Sequence, residues 1–393
     1  MTLVSTDTPA LATRATALLE QLVAFDTTSR RSNLELIAFA EAILAPLGAD
    51  MRRVANADGS KANLIARIGP DADGGVMLSG HTDVVPVDGQ AWSSDPFTVT
   101  LRGGRLYGRG TADMKAFLAL ALAAAPELAA AGLARPVQLA FSYDEEIGCL
   151  GAPGLIADLV RGGPRPATVI VGEPTNMEAV SGHKGIATFR VTVTGHEAHS
   201  SLTHLGVSAV MEAIPLMARL RDLAATLEQS AAADSPFRPP GASLTIGQVN
   251  GGTAVNILAR ECVFAFDLRS PPGTGAEVLG PFLEEAAALD RRLKARSPDA
   301  GVKVEARSNT PPLAPEAGGA AEQFARRLAG DNGPARVVSY AAEAGQFQAA
   351  GFSTVVCGPG SIEQAHQPDE YLEVSQLERG AAFMTRLIES LAQ

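Results

Sequence analysis

The 393-residue chain is short of several things, and each shortage closes a class of function. It has three cysteines, Cys149, Cys262 and Cys357, widely spaced and without a CxxC pair. That pattern fits neither a zinc knuckle nor a disulfide framework, so buried reduced thiols are expected. Basic charge is in deficit, with 32 Lys plus Arg against 43 Asp plus Glu and a formal net charge of -11. A nucleic-acid binder needs a basic stripe to meet phosphate, and a peripheral membrane protein needs basic charge to meet anionic lipid. Neither partner is expected. The most apolar run, Ala116 to Ala131, is broken by Pro126 and Glu127. It falls short of the ~18 to 20 apolar residues that a membrane span requires. Residues 1–13 show no basic stretch followed by an apolar one, so no secretory signal and a cytoplasmic location are expected. Histidine is scarce as well: His81, His183, His196, His199, His204 and His366 are the whole set, and four of them fall between positions 183 and 204.

What is present is globular. Apolar residues make up 46% of the chain and charged residues 19%, and the length exceeds the usual size of one hydrophobic core. Two one-face apolar helices, Ala10 to Phe25 and Leu34 to Leu47, are followed by short apolar runs at Asn63–Ile68, Val76–Gly80, Val137–Tyr143 and Thr168–Gly172. These alternate with helical stretches at Met114–Ala131 and Gly151–Val160. Continuous apolar strands between helices indicate an α/β fold with a central, largely parallel sheet covered on both faces. From Ile186 the pattern changes to alternating apolar and polar residues, which marks a half-exposed strand. Helix, two strands, helix and strand follow, a β-α-β-β-α-β order of ferredoxin-like type. The expected organisation is a first catalytic part over 1–181, an inserted ferredoxin-like α+β lid and dimerisation domain over 182–308, and a second catalytic part over 309–393.

The chemistry collects where strands end. His81 and Asp83 close one apolar strand in a Gly-His-Thr-Asp sequence. Two apart in extended chain, they point the same way and can address one site, although from this motif alone a polar loop is the favoured reading. Asp113 precedes an apolar helix, either as its N-cap or as a ligand. Asp144-Glu145-Glu146 and Glu173 each follow a buried strand, and His366 lies near the C-terminus. Adjacent carboxylates repel unless a cation or proton is shared, and open α/β sheets gather ligands at the carboxyl ends of their strands. Imidazoles and carboxylates without thiolate suit zinc or a similar divalent ion. The donors exceed one tetrahedral ion, which implies a two-metal site with one bridging carboxylate and one kept off the metals as general base.

The motifs Gly-His-Thr-Asp-Val-Val-Pro, Gly-Arg-Gly-Thr-Ala-Asp-Met-Lys, Asp-Glu-Glu-Ile-Gly, Gly-Glu-Pro-Thr and Ala-His-Gln-Pro-Asp-Glu-Tyr resemble, in order and along the whole chain, the dinuclear-zinc deacylase and peptidase family. That family includes the acetylornithine deacetylases, which the motifs resemble most, and the succinyl-diaminopimelate desuccinylases. The resemblance implies two Zn2+ per subunit, with Co2+ able to substitute. His81 and Glu173 would hold one ion, Glu146 and His366 the other, and Asp113 would bridge them. Asp83 would stand behind His81, Glu145 would be the general base, and the Asp113–Met114 peptide would be cis. Glu173 points to the deacylase and carboxypeptidase side of the family, where aminopeptidases more often carry Asp. Ala116 departs from the family's usual Gly.

By the same resemblance, His199 of Gly195-His196-Glu197-Ala198-His199 donates to the oxyanion, in cis or across a homodimer built through the lid. Arg269 and Asn256 hold the substrate. Glu343 and Gly360 line the side-chain end of the pocket, where Glu343 would receive an ornithine ammonium. His183 is a further candidate for substrate contact; His196 and His204 are read as structural or solvated. The substrate expected is a small N-acyl amino acid, N2-acetyl-L-ornithine first, as in arginine biosynthesis. A desuccinylase, aminoacylase or dipeptidase is the alternative, and a non-catalytic binding protein would lack a ligand or the base.

Overall fold

A computed structural model describes residues 7–392. In chain order the main elements are helices α1 (Thr8–Ala24) and α2 (Leu34–Leu44), strands β1 (Asp50–Ala55), β2 (Ala62–Ile68), β3 (Val76–His81), β4 (Thr100–Arg102) and β5 (Arg105–Tyr107), helix α3 (Lys115–Ala130), strand β6 (Val137–Ser142), helix α4 (Ala152–Gly162) and strand β7 (Thr168–Pro174). Then come β8 (Gly185–Thr194), α5 (Ala209–Gln229), β9 (Ser243–Gly251), β10 (Glu261–Ser270), α6 (Gly280–Arg296) and β11 (Gly301–Thr310). The C-terminal part holds α7 (Ala320–Ala329), α8 (Ala344–Ala349), β12 (Ser353–Gly358), β13 (Tyr371–Glu373) and α9 (Val374–Leu391).

The chain forms two compact units. The first comprises the described residues up to Gly182, Leu313–Val337 and those from Ala342 on; the second comprises His183–Pro312 with Val338–Ala341. The first unit is built on a six-stranded sheet ordered β1-β2-β6-β3-β7-β12. Its pairs β6–β3, β3–β7 and β7–β12 are parallel, while β1–β2 and β2–β6 are antiparallel. Strands β3, β6 and β7 are buried at every residue, the signature of a sheet covered on both sides.

Helix α3 lies directly on that sheet, and its sequence explains how. Every residue from Lys115 to Ala125 is buried, and the alanines keep the helix thin enough to pass through the core. Two glycines make room for it on the sheet. A Cβ on Gly172 would lie 2.0 Å from Phe117 Cγ, and one on Gly80 would lie 2.5 Å from Met114 Cε. Helix α1 is capped by Asp7, whose Oδ1 accepts from Ala10 N at 3.2 Å, and it buries Leu11, Ala15, Leu19, Leu22 and Val23. A three-stranded sheet, β13-β5-β4, joins the C-terminal part to the loop before α3.

The second unit is a four-stranded antiparallel sheet ordered β9-β10-β8-β11, the ferredoxin-like arrangement. Val191, Val193, Phe264, Phe266 and Leu268 face Leu216 and Leu220 of α5 and Phe282, Leu289 and Leu293 of α6. Phe266 stacks on Phe189 at 5.1 Å and meets Phe282 edge-on at 5.4 Å, the favoured aromatic geometries. The sequence pattern predicts strands over Ile257–Leu268 and Val302–Ala306, and each differs from the structure at one boundary. Strand β11 continues past Ala306 because an irregularity before Ser308 restores pairing as far as Thr310. The apolar run from Ile257 does not start β10; Ile257 instead makes an isolated bridge with His199, and the strand begins at Glu261.

Candidate metal centre

The parallel strands of the first unit end together, and their ends carry the charged groups. His81 is the last residue of β3 and sits in register with Ser142, the last of β6. From Ser142 the chain turns through Asp144, at φ +56°, to Glu145 and Glu146. Glu173 is the penultimate residue of β7, before Pro174, Asp113 sits just before α3, and His366, at φ +65°, follows β12. A non-glycine residue in the left-handed region is costly and persists where its surroundings hold it.

Asp113 is the centre of the arrangement. Its Oδ1 is 3.0 Å from His81 Nε2 and its Oδ2 is 3.3 Å from His366 Nε2. Glu173 Oε1 lies 3.7 Å from the same His81 nitrogen, and Glu146 Oε2 lies 2.9 Å from the His366 nitrogen. Two His-carboxylate groups therefore share Asp113, each using a different oxygen of it. Ligand atoms of His81, Asp113 and Glu146 all lie within 4.8 Å of one another, as do those of His81, Glu145 and Glu173. The Asp113–Met114 peptide is cis.

The electrostatics fit a cationic occupant. Glu173 Oε1 is buried and accepts no hydrogen bond. Burial lifts Glu145 to about 8; His81 pulls it down, and Glu146 and Asp113 push it up. Burial and the Asp113 charge lift Glu146 to about 7 and carry Glu173 well above the usual carboxylate range. Burial opposes the charged form of His81, but Glu173, Asp113 and Glu145 hold it well above an ordinary imidazole. Hydrogen bonds that His366 donates to Asp113 and Glu146 lift it to about 10, against the pull of burial. Burial pushes Asp113 up, yet the two imidazoles leave it below the carboxylate range. Without cations the cluster is balanced only by protons; divalent ions replace them.

Comparison with known proteins matches this architecture. Residues 77–390 match the family described as Peptidase family M20/M25/M40. The chain belongs to that family. It is 35% identical over 385 residues to the acetylornithine deacetylase of Myxococcus xanthus, covering 95% of this chain and 96% of that one. It is 36% identical over 334 residues to the acetylornithine deacetylase of Proteus mirabilis, covering 84% of this chain and 82% of that one. Among solved structures, human carnosine dipeptidase 1 has a TM-score of 0.73 at 17% identity, covering 98% of each chain. A metallo-carboxypeptidase of Sulfolobus solfataricus has a TM-score of 0.73 at 16% identity, covering 95% of this chain and 98% of that one. At those identities the structures speak for the M20 fold alone.

Within this M20 chain the other residues singled out in the sequence fall into two groups. Asp83 is beside His81, but it is the main-chain carbonyl of Asp83 that pairs with His81 Nδ1, at 2.8 Å. Its carboxylate is 3.7 Å from that nitrogen. It accepts instead from Ser29 Oγ at 2.7 Å and from the backbone N–H groups of Glu145 and Glu146 at 3.1 and 3.3 Å. Asp83 thus sets the turn that presents Glu145 and Glu146. Gly360 is at φ +87°, and its carbonyl accepts from Asn176 N at 2.6 Å.

Glu343 is a correction. The expected acceptor of a substrate ammonium is 1% exposed, and its oxygens accept from Ser79 Oγ at 2.6 Å and Ser142 Oγ at 2.8 Å. Burial raises its pKa, and it ties β3 to β6 beneath their ends. Its charge consequently says nothing about the acyl group accepted.

The remaining candidates lie in the second unit. His199 is exposed, with Nδ1 2.8 Å from Ser201 Oγ. Its backbone bridge to Ile257 and the bond from Ser200 N to Asn256 O, 2.9 Å, bring it beside Asn256. Arg269 is held by Asp267 through Nε at 2.7 Å. His183 is fully buried, its Nδ1 is 2.9 Å from Lys184 O, and burial lowers it to about 4. His196 and His204 are exposed.

Sequence reading gave no role to Arg109, Cys149 and Glu370. Cys149 Sγ donates to Glu145 Oε1 at 3.1 Å. Glu370 Oε1 accepts from the backbone N–H groups of Ala112 and Asp113 at 2.9 and 3.1 Å, while Oε2 meets Arg109 Nη1 at 2.6 Å. Both acids and bases were visible in the motifs, but a pairing across 261 residues leaves no local trace.

Proposed function

We propose that the chain is a dinuclear zinc amidohydrolase that removes the acetyl group from N2-acetyl-L-ornithine, releasing acetate and L-ornithine for arginine biosynthesis. The observation that carries the chemistry is Asp113, shared between a His81–Glu173 group and a His366–Glu146 group with Glu145 beside them. The substrate rests on relatives 33% to 36% identical over most of their length that bear the name acetylornithine deacetylase. Zinc is favoured by a donor set of two imidazoles and carboxylates without thiolate, and Co2+ suits the same donors.

His81 and Glu173 would hold one ion, His366 and Glu146 the other, and Asp113 both. Two such ions acidify water and polarise an acyl oxygen. The protein's own part begins with Glu145, which takes the proton that the attacking water gives up. The position of Glu145 among the ligand atoms of His81 and Glu173 supports that role. Glu145 then passes the proton to the departing amine. The bond from Cys149 keeps one oxygen of Glu145 oriented while this happens. His199 donates to the oxyanion in this reading, Arg269 receives the α-carboxylate as a guanidinium fork, and Asn256 assists. The same reading includes a cytoplasmic homodimer joined through the inserted unit.

The experiment is a comparison of catalytic efficiency on N-acetylornithine, N-acetylmethionine, N-succinyl-diaminopimelate and a dipeptide. Highest efficiency on N-acetylornithine is expected. A tenfold preference for the succinyl compound or the dipeptide would remove the substrate assignment while leaving the metal chemistry intact.

A further inference from the structure

One hydrogen-bond network, buried at Arg109 and Glu370 and exposed where Gln90 meets His366, joins the two parts of the chain that supply Asp113 and His366. Glu370 Oε1 receives the peptide N–H groups of Ala112 and Asp113, and Oε2 receives Arg109 Nη1 at 2.6 Å. Arg109 and Glu370 side chains are each 1% exposed. The other terminal nitrogen of Arg109 donates to Gln90 Oε1 at 2.6 Å, and Trp92 Nε1 donates to the same oxygen at 3.0 Å. Because that oxygen already takes two donors, the amide orientation of Gln90 is fixed, and its Nε2 donates to the main-chain carbonyl of His366 at 2.9 Å. A second staple lies alongside, where Asp369 Oδ1 accepts from Ser93 N at 2.8 Å and Ser93 Oγ at 3.0 Å. His366 and Asp369 both have positive φ, at +65° and +55°, so this loop depends on outside contacts to keep its shape.

We propose that Gln90, Arg109 and Glu370 are positioning residues that clamp His366 against Asp113, and that Gln90 sets the affinity of the His366–Glu146 half of the metal centre. The proposal rests on the dinuclear reading above. Outer partners of metal ligands are worth about 10- to 100-fold in metal affinity. The geometry assigns that effect to one half of the site. Among the proposed ligands Gln90 meets only His366, through its carbonyl, whereas Asp113 keeps its own contacts to Glu370.

Two substitutions separate positioning from simple packing. Gln90→Glu preserves an acceptor for Arg109 and Trp92 but cannot donate to the His366 carbonyl. Gln90→Leu removes both functions at a half-exposed site. Zn2+ affinities are measured by chelator competition. Fluorescence of Trp92, the only tryptophan in the chain and one that sits over Arg109 at 5.1 Å, serves as a second readout. Both variants are expected to bind one Zn2+ with wild-type affinity and the second about tenfold or more weakly. If wild type takes two Zn2+ and both variants match it, with only thermal stability changed, the clamp is refuted and the metal reading survives. If wild type takes none, both are refuted.

Discussion

Stripping the metals is expected to destabilise the chain, and the loss is expected to grow as pH rises. In the metal-free chain, burial and neighbouring negative charge lift Glu146 to about 7, and its side chain is only 5% exposed. An unfolded glutamate loses its proton near 4.5, so between 4.5 and 7 the folded form holds a proton that the unfolded form has released. A folded-state pKa raised on an acid therefore lowers stability as pH climbs through that window. For Glu146 alone this costs about 3 kcal/mol once pH exceeds 7. Glu145 and Glu173 are shifted in the same direction. His366 acts the same way by the opposite charge. Raised to about 10, it stabilises the fold fully below 6.5 and loses that contribution as pH rises from 6.5 to 10. Bound divalent ions remove the need for these protons, and their affinity itself rises as protons leave the ligands. The assay is thermal unfolding followed by near-UV circular dichroism, with and without a chelator, from pH 5.5 to 8.5. The gap between metal-loaded and stripped protein is expected to widen by on the order of 5 °C across that range. A gap that stays constant or narrows with rising pH would refute the reasoning.

Other outcomes follow from the same geometry. Glu145→Gln is expected to lower kcat by about 10²- to 10⁴-fold with metal content unchanged, read by acetate release and elemental analysis together. His199→Ala is expected to lower kcat/KM by about 10²-fold while zinc content stays at the wild-type level; unaltered turnover would remove it from the chemistry. Glu343→Leu leaves the Ser79 and Ser142 hydroxyls unpaired in the core, each worth about 1 to 3 kcal/mol. It should lower the melting temperature without a selective change in KM for ornithine substrates over methionine ones.

The sequence was most legible where a residue's job depends on its neighbours along the chain. The buried runs ending at His81, Ser142 and Glu173 are strands because nothing polar interrupts them, and a parallel sheet brings such ends together. The alternation through Phe189, Val191 and Val193 likewise revealed the half-exposed sheet of the second unit. What escaped notice depends on which side chain meets which across the fold. Glu343 carries the same carboxylate whether it faces a ligand or two serines, and only the fold that sets it beside Ser79 and Ser142 decides. Asp83 stands two residues from His81, yet its carboxylate turns toward the Glu145 and Glu146 amides while its carbonyl meets the imidazole. Arg109 and Glu370 sit inside recognisable motifs, but their joint task appears only when β13 pairs with β5 and brings the C-terminal loop beside the loop before α3.

The most direct test is zinc reconstitution of the chelator-stripped protein, with acetate release from N-acetylornithine followed at each added equivalent. Binding of two Zn2+ per chain is expected, with turnover reaching its plateau at the second equivalent and Asp113→Ala retaining neither ion tightly. Full turnover by the stripped protein, or undiminished zinc binding by Asp113→Ala, would contradict a centre built on that shared carboxylate.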